Sequence, residues 1–253
     1  MLQIKDLSIQ VDDQVIVRHS SFVIKQGKIT AMIGESGSGK SLTLLAILGI
    51  LPKEVDVSGN ILFKDKSLFE MSAKEIQSFR KDEVFVIFQD AFNSFNPSMR
   101  IGKQLFTLAE RGRDSGYLAF LENMSLIFKR LDLSNEVFQK YPFELSGGML
   151  QRCMIACAIY SKPSLIIADE PTSGLDVQSQ TALIEILLDM NREYETTIFL
   201  VTHDIDVVKE IADEVLVMFQ GSVVESGLLE TIVSHSVHPY TKRLLTSSFR
   251  MVE

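Results

Sequence analysis

Cysteine is nearly absent from the sequence, which contains only Cys153 and Cys157 among its 253 residues. Two cysteines cannot build a disulfide framework, so we expect a reducing compartment, the cytoplasm. Their spacing of four residues places both on one face of a helix, which would also suit a metal or redox pair. Because cysteine is among the most frequently buried residue types, we interpret the pair as part of the core.

A strongly basic surface and a long hydrophobic run are also missing. The 25 lysines and arginines are outnumbered by 33 aspartates and glutamates, the net charge is −8, and no run of basic residues occurs. This composition argues against a nucleic-acid partner. The longest apolar stretch, residues 42–51, is interrupted by Thr43 and Gly49 and is shorter than the roughly 20 residues of a membrane-spanning helix. The first residues lack the layout of a signal peptide, so we expect the chain to stay where it is made.

A glycine-rich stretch, residues 34–41, reads G-x-x-x-x-G-K-S between a β-prone run and a helix-prone run. This context predicts a phosphate-binding loop, in which backbone N–H groups and the positive end of the next helix face the phosphates. Lys40 is expected to reach the β- and γ-phosphates, and Ser41 to bind Mg²⁺. The predicted nucleotide contacts are Gly34, Glu35, Ser36, Gly37, Ser38, Gly39, Lys40, Ser41 and Leu42.

Strand-like and helix-like segments alternate along most of the chain, which predicts an α/β fold with a mainly parallel sheet. We expect a single domain, 1–253, built on a P-loop NTPase core with an antiparallel β subdomain at its N-terminus. Residues 1–89 and 161–253 are assigned to the nucleotide-binding core, and residues 90–160 to an inserted α-helical subdomain. Residues 66–83 are also expected to be helical, and Pro52 is expected to end the helix that starts at Lys40.

Polar side chains follow the ends of three predicted strands. Asp169 and Glu170 come after the apolar run 165–168, Gln89 follows the run 84–88, and His203 follows the strand 197–202. Asp169 is predicted to bind Mg²⁺, and Glu170 to act as the base that polarises the attacking water. His203 is predicted to contact the γ-phosphate, and Gln89 to bridge Mg²⁺ and the water.

A second anion-binding element is predicted at residues 145–152, Leu-Ser-Gly-Gly-Met-Leu-Gln-Arg. Ser146 and the two glycines precede a helix, so a hydroxyl and free N–H groups are available there. One γ-phosphate cannot obviously use two such elements of the same chain. We therefore expect this element to complete the site of a partner.

The motifs together resemble the ATP-binding cassette family over nearly the whole chain. They are the phosphate loop, Gln89, residues 145–152, the acidic strand 165–170, the loop 173–176 and His203. The resemblance implies two cassettes arranged head to tail, with ATP and Mg²⁺ between the phosphate loop of one and the signature element of the other. The nucleotide contacts implied beyond the phosphate loop are Ser146, Gly147, Gly148 and Gln151 of the signature element and Asp176 of the loop 173–176.

The resemblance also implies partners. They are a second ATPase, identical or related, two transmembrane permease subunits and an extracellular solute-binding protein, with this chain peripheral on the cytoplasmic face of the cell membrane. The permease contact is expected on residues 90–116, which carry Phe92, Phe95 and Phe106; packing within the insertion itself is the alternative for these phenylalanines.

Within the family, four segments are similar to the importers of peptides and nickel: residues 88–90, 93–97, 141–144 and 238–241. Peptide-import ATPases usually continue with a cysteine-bearing tail, whereas this sequence ends at Glu253, so a nickel or metal-chelate importer is expected and a peptide importer is the alternative. Many cassettes stack adenine on an aromatic residue, but residues 10–14 contain none, and Val17 is one possible replacement.

Two other functions compete with import. A soluble cassette protein acting on ribosomes or DNA would usually carry two cassettes or a coiled-coil insertion, and the acidic charge argues against it. A phosphoryl-transfer kinase would share the phosphate loop but has no role for the residues 145–152.

Overall fold

The computed structural model describes residues 1–109 and 116–249. Its strands are β1 (Leu2–Val11), β2 (Gln14–Ile24), β3 (Ile29–Ile33), β4 (Asp56–Phe63), β5 (Lys66–Ser67), β6 (Val84–Ile87), β7 (Leu165–Asp169), β8 (Thr197–Val201), β9 (Glu214–Phe219) and β10 (Ser222–Leu228). Its α-helices are α1 (Lys40–Leu48), α2 (Ala73–Ser78), α3 (Ile101–Ala109), α4 (Gly116–Arg130), α5 (Gly147–Ser161), α6 (Val177–Tyr194), α7 (Ile205–Ile211), α8 (Leu229–His235) and α9 (Pro239–Phe249).

The larger sheet has the strand order β10-β9-β3-β8-β7-β6. All neighbouring pairs are parallel except β10, which pairs antiparallel with β9. The central strands β3 and β8 are buried along their whole length, as expected for strands covered by helices on both faces. The expected α/β fold with a mainly parallel sheet is confirmed, and the carboxyl ends of β3, β6, β7 and β8 lie at one edge.

A smaller antiparallel sheet, ordered β2-β1-β4-β5, contains the N-terminal strands. Strand β2 starts at Gln14 and pairs with β1 from Val11↔Gln14 to Leu2↔Ile24. The two strands are joined at Asp12 and Asp13, where Asp12 has a positive φ of 51° that suits a tight hairpin turn.

Helices α3, α4 and α5 pack together within residues 90–160. Phe120 and Phe128 of α4 are fully buried in a hydrophobic cluster that also contains Ile87 and Ile166 of the larger sheet. These helices therefore share a core with one face of that sheet. The boundaries at residues 90 and 160 remain a prediction.

Two local expectations were wrong. Residues 66–83 form strand β5, a 3₁₀ turn, helix α2 and a π-helical turn at Phe79–Glu83 rather than one helix. Helix α1 ends before Gly49, not at Pro52, because Gly49 adopts a left-handed conformation (φ 62°) and its N–H caps the carbonyls of Leu45 and Ala46. In the described parts of the chain, every helix is too short or too polar to cross a membrane.

Candidate functional site

The phosphate loop connects β3 to α1, and glycine is required at two of its positions, by close packing at Gly34 and by the backbone conformation at Gly39. A Cβ on Gly34 would lie 2.1 Å from the carbonyl oxygen of Met218, and one on Gly39 would lie 2.9 Å from the Met218 methyl. Gly39 also has a φ of 104°. Because it precedes α1 without a capping side chain, the first N–H groups of that helix remain available to an anion.

Lys40 is buried inside this loop and is oriented by it. Its ammonium donates hydrogen bonds to the carbonyls of Gly34 and Glu35, each at 2.8 Å. Burial lowers the pKa of Lys40, while the carboxylates of Glu170 and Asp169 oppose that change. The cation is thus fixed by two carbonyls and faces two acids.

Asp169 ends β7 at the carboxyl edge of the sheet. Burial raises the pKa of this carboxyl group, the negative charge of Glu170 raises it further, and Lys40 acts in the opposite direction. A carboxylate in such surroundings favours a bound cation, since a cation would offset the cost of its charge.

Glu170 has a left-handed backbone with φ 48°, and its N–H donates to the Val201 carbonyl of β8 at 2.8 Å. Its side chain lies 2.8 Å from Nδ1 of His203 and accepts a hydrogen bond from the Thr202 hydroxyl at 3.2 Å. A strained non-glycine residue pinned by three contacts is typical of functional positions. The base and the histidine predicted from separate strand ends are therefore direct partners.

A cavity of about 700 Å³ brings most predicted residues of this chain together. We call it the phosphate-loop cavity; it is lined by Ile16, Gly34, Glu35, Ser36, Gly37, Gly39, Lys40, Ser41, Leu42, Gln89, Asp169, Glu170, His203 and Leu244. Ser38 is absent from the lining because it is buried, with its hydroxyl 3.5 Å from Nζ of Lys40. Gln89 lies in the cavity wall and donates to the hydroxyl of Ser173 at 3.2 Å.

A second, larger cavity of about 970 Å³ adjoins the first. It lies between the β1–β2 hairpin and the turn after β9, and Ile16 and Gly37 line both cavities. Val17, suggested above as a replacement for the missing aromatic residue, is fully buried in the core and cannot contact a base. The alternation of β2 instead places its neighbour Ile16 at the cavity.

The signature residues lie outside the phosphate-loop cavity. Ser146 caps α5 by accepting the N–H of Met149 at 3.3 Å, and among the described residues a Cβ on Gly147 or Gly148 would meet no atom outside its own stretch of helix within 4 Å. The amide of Gln151 is buried and donates to the carbonyl of Pro171, so it is already used within the chain.

Asp176 has a capping role of its own. It caps α6 by accepting the N–H of Ser179 at 2.8 Å, and this bond lowers the pKa of its carboxyl group. Neither the phosphate-loop cavity nor the adjoining larger cavity includes it. A contact between Asp176 and a nucleotide therefore remains a prediction.

The three phenylalanines predicted at a permease contact have different surroundings. Phe92 is 47% exposed, Phe95 is only 5% exposed, and Phe106 packs against Tyr117 and Phe120. Phe95 and Phe106 thus belong to the internal packing of this region. Residues 110–115 of the predicted contact lie outside the described residues.

An apolar groove of about 280 Å³ lies beside the strand that leads to Gln89. Its lining includes Ile50, Phe88 and Leu108, each more than a third exposed. The sequence pattern did not identify this groove, because its residues come from segments that are distant in the chain.

Two residues at the C-terminal end of the described chain also reach the phosphate loop and were not predicted as site residues. Leu244 lines the phosphate-loop cavity, and the hydroxyl of Tyr240 accepts the N–H of Glu35 at 2.8 Å. The only sequence signal for Tyr240 was its place in the segment 238–241.

Comparison with known proteins gives consistent similarities. The ABC transporter family profile matches residues 17–173. The oligopeptide transport ATP-binding protein OppD of Bacillus subtilis is 38% identical, over 98% of this chain and 71% of its own length. The metal-staphylopine import system ATP-binding protein CntD of Staphylococcus aureus is 34% identical, over 98% of this chain and 93% of its own.

Solved structures show the same architecture. The ATP-binding cassette MJ0796, in a dimeric post-hydrolysis state bound to ADP and Pi, matches with a TM-score of 0.78 and 26% identity, over 90% of this chain and 99% of that chain. The protein cbiO1 from Clostridium perfringens, part of the ABC transporter complex cbiONQ, matches with a TM-score of 0.78 and 29% identity, over 99% and 98% of the two chains.

Proposed function

Because the chain belongs to the ABC transporter family, we propose that it is the ATP-hydrolysing subunit of an import system. The observation that carries this proposal is the phosphate-loop cavity, where the loop meets Gln89, Asp169, Glu170 and His203. A phosphate cradle, a metal-binding acid, a base and two polar side chains in one cavity are the parts that hydrolysis of a bound triphosphate requires.

The triphosphate of ATP would lie on the loop N–H groups and at the start of α1, with Lys40 offsetting its charge. Mg²⁺ would be bound by Ser41, Gln89 and Asp169, an all-oxygen set with a single carboxylate. This set fits Mg²⁺, which is usually bound by one or two carboxylates together with phosphate oxygens. When bound, the ion neutralises charge on the phosphates.

Glu170 is the proposed general base. Thr202 and His203 fix its carboxylate at the wall of the cavity, where it can accept a proton from a water that attacks the γ-phosphate. His203 would contact the γ-phosphate from the same wall. Its hydrogen bond to Glu170 couples that contact to the base.

The signature side would close the site of a second cassette. Ser146, Gly147 and Gly148 present a hydroxyl and the N-terminal end of α5, and they do not line this chain's own phosphate-loop cavity. Asp176 would lie at the same interface. Gln151 would support this interface indirectly, through its hydrogen bond to the Pro171 carbonyl. ATP would then stabilise the closed pair, and hydrolysis would release it.

The permease partners would bind on the cytoplasmic side of the membrane, in the apolar groove next to Phe88. Exposed apolar side chains in a concave surface are typical of a protein contact. Because Gln89 directly follows Phe88, the groove adjoins the nucleotide site. A shift of the backbone at one of these two residues would therefore displace the other.

We propose nickel or another metal, carried as a chelate, as the imported solute, in line with the similarity to the metal-staphylopine system. A peptide is the second candidate, favoured by the higher identity of the oligopeptide relative. In this reading, selectivity lies in the permease and solute-binding subunits.

The test is to purify the chain with its permease partners, place the complex in vesicles and measure ATP-driven uptake of nickel, metal chelates and oligopeptides. We expect accumulation of a metal or chelate with release of inorganic phosphate, and none with Lys40→Ala. Uptake of peptides alone would favour the second candidate. Purification without any membrane subunit but with tightly bound RNA or DNA would contradict import.

A further inference from the structure

Tyr240 connects helix α9 to the phosphate loop. Its ring is 4% exposed and stacks on Phe219, with ring centroids 4.2 Å apart. Its hydroxyl accepts a hydrogen bond from the backbone N–H of Glu35 at 2.8 Å. A residue 205 positions later in the chain therefore binds the second residue of the loop.

The peptide unit that Tyr240 binds is the one that Lys40 binds. The N–H of Glu35 and the carbonyl of Gly34 belong to one planar peptide group and point in opposite directions. Tyr240 accepts from the N–H, and the ammonium of Lys40 donates to the carbonyl at 2.8 Å. Fixing one end of this rigid group fixes the other, so the hydroxyl orients the carbonyl that aims Lys40.

The hydroxyl itself is held in place by packing at the start of α9. The carboxylate of Glu225 in β10 accepts the N–H groups of Val237 and His238 at 2.7 and 3.1 Å. Stacking on Phe219 then fixes the ring between this start and the loop. The position of the hydroxyl is thus set by the sheet and not by the loop it binds.

Arg243, one turn further along α9, makes a weaker contact with Glu35. Its guanidinium lies 3.7 Å from the carboxylate of Glu35 and 5.6 Å from the centre of the Tyr240 ring. Both charged side chains are largely exposed, so this pair contributes little compared with the buried hydroxyl.

We propose that Tyr240 is a positioning residue for nucleotide binding, which acts through the Gly34–Glu35 peptide on Lys40. The apolar surroundings of the ring would accept phenylalanine equally well, so the hydroxyl is explained by the loop and not by the core. This inference rests on the proposed binding of ATP to the loop.

The test is Tyr240→Phe, which removes the hydroxyl and retains the ring. We expect the Kd for ATP and the apparent KM to rise about threefold to tenfold, the range of one lost hydrogen bond, while kcat falls less than twofold. Tyr194→Phe is the control. Tyr194 ends α6, just before the amino end of β8, whereas the phosphate loop follows the carboxyl end of β3. This variant should therefore bind ATP as the wild type does.

A structural role alone would lower the melting temperature of Tyr240→Phe and leave Kd and KM unchanged, which would overturn the inference. Hydrogen exchange on the nucleotide-free wild type provides a second measurement that needs no variant. The Glu35 amide should be protected, and rapid exchange there would equally overturn it. Failure of the wild type to bind ATP would instead contradict the proposed function.

Discussion

Asp169 is the residue at which electrostatics and function conflict most directly. Burial and the neighbouring Glu170 raise its pKa, and Lys40 offsets this only in part. Without a bound cation, the ionised carboxylate therefore costs stability. The same cost favours binding of Mg²⁺, since the ion would pair with a charge that the protein leaves poorly compensated.

The substitution Asp169→Asn should stabilise the nucleotide-free protein. The folded-state pKa lies above the unfolded value of 3.8, so the penalty is absent below the unfolded pKa, grows as the pH rises through the folded pKa and is complete above it. The melting temperature of the variant should exceed that of the wild type at pH 7.5, and the difference should vanish towards pH 3.

Thermal unfolding followed by circular dichroism across this pH range checks the prediction. Glu54→Gln, at an exposed residue outside the site, is the control and should show no such trend. A difference in melting temperature that stays constant with pH would show that the carboxylate charge is not its cause.

The site residues differ in how far the sequence could reveal them. Asp169, Glu170, Gln89 and His203 each follow an apolar run, and parallel strands bring their carboxyl ends to one edge of the sheet. Tyr240 is different, because its role depends on where α9 packs, which no local pattern records. The expectation for Val17 was wrong for a similar reason, since which face of β2 is buried is set by its pairing with β1.

At the scale of elements, the 3₁₀ turn Phe92–Ser94 separates an exposed phenylalanine from a buried one. Phe95 packs in the core, so substituting it should lower the stability of the whole fold and would not test a contact with a partner alone. Phe92 is exposed in the segment that follows β6, and the lining of the apolar groove includes its neighbours Ser94 and Phe95. Of these two phenylalanines, only Phe92 can therefore test permease binding without disturbing the core.

Phe92→Glu should keep the ATPase activity of the isolated chain and reduce uptake by the vesicle-bound complex at least about tenfold, as expected when an apolar contact beside the groove is replaced by a charge. Phe69→Glu is a matched control, since Phe69 is 46% exposed and lies beside the smaller sheet. It should retain both activities. Equal loss of uptake in both variants would show that added charge, and not the position, is responsible.

The end of helix α1 was predicted wrongly because it depends on a residue in the left-handed backbone conformation. Pro52 suggested the end of α1 because proline cannot continue a helix, but Gly49 ends it three residues earlier. Both are valid stop signals, and the packing of the chain beyond the helix selects between them. The strands with continuous apolar runs, such as β7 and β8, were predicted correctly to within one residue.

At the scale of the whole molecule, the glycines divide into those that this chain needs and those that it does not. Gly34 cannot carry a side chain because the Met218 carbonyl is too close, and Gly39 cannot because its φ is 104°, whereas a Cβ at Gly148 would meet no described atom outside its own stretch of helix within 4 Å. Glycine in a helix costs roughly 0.5–1 kcal/mol relative to alanine. The packing of a single chain therefore does not explain why residue 148 is glycine. A second cassette bound closely at this position would explain it.

This leads to a prediction that separates stability from assembly. Purified alone, Glu170→Gln should bind ATP without hydrolysing it and elute at about twice the monomer mass, as a two-fold pair. Adding Gly148→Asp should return it to a monomer, because the new carboxylate would face the triphosphate held by the partner. The same change should leave the melting temperature of the monomer unchanged or higher, since an acid in the first turn of a helix is favourable.

ATP binding by the doubly substituted chain, measured by calorimetry, is the control, because its own phosphate loop is intact. Size-exclusion chromatography with light scattering decides the outcome, and a dimer that persists with Gly148→Asp would contradict the head-to-tail arrangement.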